Sequence, residues 1–230
     1  MSPKPSLEID PSLSPCPARP ALIWATGISP PLQSEALPGF LASEVERAAA
    51  QGEALWAEGM RARVRDMLRH GRYKPAGRGR PASEFLLRAA EQGQFPAVNP
   101  PVDVNNAVSL ASGLPGSIFD AALSGTELLL RRGRPGERYV FNPSGQVIEL
   151  QDLLLVCGRR EGDWLPCGNP VKDSAATKIH PGTRDVVAVL YAPASETEEE
   201  LSRWARRFAD LLASHCHARE SGFELVGVDP

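Results

Sequence analysis

Apolar positions change their period several times along the chain, and each change marks an element. Ala21-Leu22-Ile23-Trp24-Ala25 is an unbroken apolar run stopped by Gly27 and Pro30-Pro31, the form of a buried strand that ends in a turn. Over residues 42–69, Val45, Ala49, Leu55, Trp56, Met60, Val64 and Leu68 recur at three- and four-residue steps broken by Gly52 and Gly59. That pattern predicts one interrupted helix or two. Residues 83–90 form the next helix, with Pro81 near its first turn, Ser83 as a cap and Gly93 as a stop. The stretch 95–101 is too rich in proline for regular structure, and a third helix covers 104–112, closed by Gly113 and Pro115.

Further on, the apolar pieces shorten. Residues 128–131, 139–141, 147–150 and 153–157, separated by Gly, Pro, Asn and Ser, predict strands joined by turns. The β-branched run at 186–191 predicts a central strand. Residues 196–217 carry Leu201, Trp204, Ala205, Phe208, Leu211 and Leu212 on one helical face, with acids at 196, 198, 199 and 200 suited to the N-terminal dipole. A last edge strand is expected at 223–228. Residues 1–20 hold six prolines and no continuous apolar segment, so they read as an extended tail and not a signal peptide. The remainder, 21–230, reads as a single α+β domain.

Composition sharpens this picture. The 22 prolines and 20 glycines in 230 residues favour many short elements joined by turns. A net charge of -3 and a pI of about 5.9 give no overall attraction for a polyanion, so a nucleic-acid site must be a local patch. The densest positive stretch carries Arg61, Arg63, Arg65, Arg69, Arg72, Lys74, Arg78 and Arg80 against the single acid Asp66. With glycines and Tyr73 among these cations it suits phosphate contacts and base stacking; a solvated helix face with its loop accounts for the same residues. Cys16, Cys157, Cys167 and Cys216 form no CxxC pair, which argues against a zinc module and suits a reducing cytoplasm. No apolar run approaches the ~18 residues of a membrane span, so a soluble, cytoplasmic protein is expected.

GxSxG, GxxxxGK[ST], HExxH and helix-opening GxGxxG signatures are absent. His215-Cys216-His217 could bind metal, but at a helix end cationic His simply complements the dipole. The segment Asn169-Pro170-Val171-Lys172-Asp173-Ser174-Ala175-Ala176-Thr177-Lys178 offers a carboxylate, hydroxyls and ammonium groups between two expected strands. It reads as a pocket wall, with Ser174 and Lys178 even a conceivable Ser-Lys nucleophile pair, or as a turn that satisfies its own backbone. Asp103, Asn105 and Asn106 form a second polar knot, in which Asp103 would cap the following helix and tie down the proline loop.

Taken in order, Arg80-Pro81-Ala82-Ser83-Glu84, then Asn99-Pro100-Pro101-Val102-Asp103-Val104-Asn105-Asn106-Ala107-Val108-Ser109-Leu110, then Gly113-Leu114-Pro115-Gly116-Ser117-Ile118-Phe119-Asp120 and Asp173-Ser174-Ala175-Ala176-Thr177-Lys178 form a recognisable series. It resembles the tRNA-editing domain, the third and fourth modules, of the beta subunit of bacterial phenylalanyl-tRNA synthetase, and more closely that domain's free-standing homologues. The likeness covers about residues 70–192. It implies an unusual β-sandwich flanked by helices, and a pocket for the aminoacylated 3′ end of tRNA in which a mischarged ester is hydrolysed without a cofactor or metal. No membrane or DNA partner is expected. Ser117 stands where the synthetase segment carries a histidine of the editing site, so the resemblance implies a water held by hydroxyl, amide and backbone groups. The candidate catalytic residues are Ser117, Thr177 and Lys178. Candidates for substrate binding are Asn106, Asp120, Asp173 and Ser174, and for tRNA binding Arg69, Arg72, Lys74, Arg78 and Arg80. A module that binds tRNA or an amino-acid-like ligand without catalysis is the alternative.

Overall fold

A computed structural model describes residues 4–28 and 37–227. The elements follow in the order β1 (Ser6–Ile9), β2 (Ala18–Thr26), α1 (Gly39–Gln51), α2 (Met60–Leu68), α3 (Ala82–Glu91), α4 (Pro100–Ser112), β3 (Gly116–Asp120), α5 (Ala121–Ser124), β4 (Glu127–Arg132), β5 (Arg138–Val140), β6 (Val147–Glu149), β7 (Leu154–Arg160), β8 (Asp163–Gly168), β9 (Val186–Pro193), α6 (Glu198–His215) and β10 (Glu220–Leu225). This is an α+β domain. The expected central strand is β9, buried along its whole length in an antiparallel sheet of order β10-β2-β9-β3. The amphipathic helix α6 starts at Thr197, whose side chain accepts the Glu200 amide, and turns Leu201, Ala205, Phe208 and Leu212 onto β2, β10 and α4. Burying each large apolar side chain contributes about 1.5–3 kcal/mol.

A second sheet has the order β1-β4-β7-β8. Its strand β7 is apolar on both faces because both are covered. Leu154 and Val156 join the main core, while Leu155 and Cys157 join a smaller one with Leu150, Leu153 and Val171. Tyr139 and Ile148 of the β5–β6 hairpin pack against that smaller core, which holds the hairpin over the sheet.

Some expectations hold and others are corrected. Residues 4–20 are not an extended tail apart from the domain: β1 lies in the proline-free window between Pro5 and Pro11, pairs parallel with β4 at Leu7↔Leu128, and buries Leu7, and β2 already begins at Ala18. The interrupted pattern at 42–69 resolves into α1 and α2, parted by Gly52 and Gly59 at φ 56 and 70, values that glycine adopts without strain. Helix α4 starts at Pro100 and not at 104, because Pro100 and Pro101 occupy first-turn positions where a missing N–H costs nothing. Asn99 caps it by accepting the Val102 amide at 3.1 Å, while Asp103 accepts the Val98 amide at 2.9 Å and ties the proline loop. β3 and β8 were not legible as strands: Gly-Ser-Ile-Phe-Asp has no β-branched run, and β8 contains Pro166 beside an irregular register with β7. The last strand begins at Glu220; Val228, like Pro30 and Pro31, lies outside the described residues.

Leu7→Ala tests the pairing of β1. The substitution is expected to cost roughly 2–4 kcal/mol in chemical denaturation; a free tail would leave the midpoint unchanged.

Candidate functional site

A cavity of about 410 Å³ opens where the first half of α4, the start of β3 and the segment 169–179 meet. Helix α4 contributes Val102, Asn105 and Asn106, with its cap Asn99; the polar segment contributes Asn169, Lys172, Asp173 and Lys178; Phe141 and Asn142 close the hairpin side. Val102, Ile118, Val171 and Ile179 form the apolar part of the wall. Asp173 is the only carboxylate among these lining residues.

The fold of the polar segment explains how that carboxylate is held. The Ser174 amide donates to the Cys167 carbonyl at 2.8 Å, the Ser174 hydroxyl accepts the Ala176 amide at 3.2 Å, and the Thr177 hydroxyl donates to Cys167 O at 3.2 Å. This short turn sets Asp173 against the end of β8. Its Oδ2 accepts the Ile118 amide at 3.1 Å, while Oδ1 is buried without a hydrogen-bond partner. Gly168 makes the approach possible, since a Cβ there would overlap both Asp173 Oδ1 and the Phe119 ring. Burial pushes the Asp173 pKa up to about 7, against the opposing pull of the Ser117 hydroxyl, the Ile118 amide and the Lys178 charge.

A polar network backs this floor. The Tyr191 hydroxyl donates to Ser117 Oγ at 3.0 Å, and Ser117 Oγ donates to the Asn169 carbonyl at 3.4 Å. Asn169 Oδ1 accepts the Val171 and Lys172 amides at 2.8 and 3.1 Å, and its Nδ2 donates to Tyr139 Oη at 2.6 Å. The Tyr139 hydroxyl donates to the Lys172 carbonyl at 2.5 Å. Burial raises the pKa of both tyrosines, which keeps them as hydroxyl donors.

Of the residues singled out from sequence, Asn106, Asp173 and Lys178 line the cavity together. Ser117, Ser174 and Thr177 are buried beside it, with hydroxyls engaged in the network and the turn just described. Ser174 therefore serves as a cap. Asp120 lies elsewhere: it caps α5 through the Ala122 and Leu123 amides at 2.8 and 3.0 Å, accepts the Thr183 hydroxyl at 2.6 Å and faces His180 Nε2 at 3.2 Å. Asn99, Asn105, Lys172 and Phe141 line the cavity without having been assigned a site role. Asn99 and Asn105 belong to the quoted Asn-Pro-Pro series and Lys172 to the polar segment; nothing near Phe141 in sequence marks it.

The basic stretch divides in two. On α2 and its approaches Arg61 pairs with Glu53 at 2.8 Å, Arg63 with Glu196 at 3.1 Å, and Arg65 grips Glu84 with two bonds of 2.7 and 2.6 Å. Arg69 pairs with Asp66 on the surface. The loop that follows is pinned by the Tyr73 hydroxyl on the Gly79 carbonyl and by the Arg72 amide on Asp152 Oδ2 at 2.8 Å. From it Arg72, Lys74 and Arg78 project into solvent with no ion pair among the described residues, and Arg80 lies over the Phe85 ring. His215 stacks on Phe40, and among the described residues no cluster of three or more His, Cys, Asp or Glu is arranged to hold a metal. No described helix is long and apolar enough to cross a membrane.

Asp173 supplies a pH test. Its pKa rises from 3.8 to about 7 on folding, so its stabilising contribution is full below about pH 3.8, declines as the pH rises, and levels off above 7. Asp173→Asn is expected to flatten the fall in stability between about pH 5 and 7 by on the order of 2 kcal/mol. Equal slopes in wild type and variant, followed by denaturant titration, would refute the assignment.

A search of curated proteins finds no match. Among solved structures, an N-terminal fragment of the phenylalanyl-tRNA synthetase beta subunit from Pyrococcus horikoshii aligns at 8% identity and a TM-score of 0.49, covering 97% of this chain and 52% of that one. The chain thus spans about half the length of that fragment. The B3/4 domain family matches residues 76–209, a span that contains α3, α4, β3 and the whole cavity wall. The chain belongs to the B3/4 domain family.

Proposed function

We propose that this domain is a trans-acting hydrolase that binds the aminoacylated 3′ end of a mischarged tRNA and cleaves its ester, as part of translation quality control in the cytoplasm. The observation that carries the reading is the cavity itself, which combines one carboxylate, two ammonium groups and several side-chain amides with an apolar wall. A free α-ammonium group suits Asp173, which lines the site and whose Oδ2 is held by the Ile118 amide. Lys178 and Asn106 then act as donors toward the ester carbonyl, where each donor aimed at a developing oxyanion is worth about 10²–10³ in rate. Water adds to that carbonyl carbon, the bond to the ribose oxygen breaks, and the ribose oxygen takes up a proton. The products are a free amino acid and a tRNA with a free terminal hydroxyl. Ser117, Ser174 and Thr177 act at one remove, by fixing the walls that hold the reacting groups. Arg72, Lys74 and Arg78 supply phosphate contacts outside the cavity, and Arg69 and Arg80 flank them.

A second reading, a module that binds the aminoacyl end without cleaving it, is favoured by one observation: no imidazole lines the cavity. A panel of mischarged tRNAs separates the two. Release of amino acid above the no-protein rate is expected for at least one member, with Lys178→Ala lowering it about 10²-fold. Binding without release across the panel would establish the non-catalytic reading instead. Because Asp173 must be ionised to hold an ammonium group, the rate should climb through about pH 7 and lose that inflection in Asp173→Asn.

A further inference from the structure

A second groove, of about 500 Å³, runs beside the cavity. Its sides are Arg78 from the loop after α2, Phe85 of α3 and Val147 of the hairpin, and it shares Phe141 and Lys172 with the cavity. The two hollows adjoin at that shared pair. The chemistry of the groove is mixed in a particular way. Phe141 is a flat apolar surface with the Lys172 ammonium 3.9 Å from its ring centre, and Val147 stands on the rim with 51% of its surface exposed. Arg78 and Lys172 have no carboxylate partner among the described residues, and no acidic side chain lines the groove. Elsewhere in the basic stretch Arg61, Arg63, Arg65 and Arg69 all have one. A flat apolar face beside uncompensated cations is the combination that single-stranded nucleic acid satisfies, with the base on the ring and the phosphate on the charge.

We propose that this groove holds the unpaired nucleotides that precede the terminal aminoacylated one, a base lying against Phe141 and Val147 and its phosphate between Arg78 and Lys172. The inference rests on the reading of the main cavity as the seat of the aminoacyl end. It adds that affinity comes from the RNA tail and not from the amino acid, so an uncharged end binds as well. A short single-stranded RNA is then recognised in full, and a lone terminal nucleotide only in part.

The test uses the full chain and three unacylated probes: the trinucleotide CCA, AMP and inorganic phosphate. CCA is expected to bind at least about ten-fold more tightly than AMP, from stacking and an added phosphate contact. Arg78→Glu and Val147→Asp, both at exposed positions, should each weaken CCA about ten-fold, with an unchanged thermal unfolding midpoint reporting that the variants are folded. CCA no tighter than AMP, phosphate competing as well as CCA, or both variants binding CCA normally would overturn the proposal. CCA carries no aminoacyl ester, so the two readings fail separately. Tight, Arg78-dependent CCA binding without deacylation removes only the hydrolytic function; deacylation with CCA no tighter than AMP removes only the groove.

Discussion

The arrangement depends on one buried contact, the Asp173 carboxylate on the Ile118 amide. Strand β3 is the edge of its sheet, and an edge strand leaves backbone donors unpaired unless something covers them. Asp173 supplies that cover from a turn that follows β8, the edge of the other sheet. One side chain therefore ties the margins of both sheets together. The cost is a carboxylate held where water is scarce, with Oδ1 unpaired and a pKa raised to about 7. Gly168 is what lets the carboxylate sit so close, and Ser117, Tyr191 and Asn169 brace the backbone around it.

The same constraint explains why the cavity persists as an open space. One wall belongs to α4 and β3, which the main core fixes, whereas the facing wall belongs to an irregular segment that would otherwise be free to collapse inward. Asn169 prevents this by holding two successive amides and the Tyr139 hydroxyl at once, which links the segment to the hairpin. Tyr139 in turn rests on the small core under β7. The polar groups are thus positioned by packing two layers away from them.

What was legible in the sequence follows from where the signal resides. The stripe of α6 and the β-branched run of β9 are set by burial on one core, and their hydrophobic periodicity reports it directly. Asn106, Asp173 and Lys178 were legible because polar clusters between apolar runs are conspicuous. What such a cluster does not disclose is direction. Ser174 and Thr177 sit within four residues of Lys178, yet their hydroxyls turn to the backbone while Lys178 meets the cavity. Asp120, close to Ser117 in sequence, points to α5 and Thr183 because β3 ends there and the next helix needs a cap. Phe141 reaches the cavity only through the placement of the hairpin, a tertiary fact with no local mark. β1 was hidden because proline content outweighed a four-residue window, and parallel pairing with β4 depends on a partner more than a hundred residues away.

Charge is distributed by the same logic. With a net charge of -3, the molecule has no overall pull on a polyanion, and half of its basic stretch is neutralised by Glu53, Glu84, Glu196 and Asp66. Of the four left without a carboxylate partner, Arg78 lines the second groove. Burial lowers the Lys172 pKa first, and the charges of Lys178 and Arg78 lower it further. These like charges repel in the unoccupied protein, which is an electrostatic cost that the fold carries. An anionic ligand seated among them removes that repulsion as it binds, so a small basic cluster on an acidic protein selects for anions at one place without attracting them everywhere.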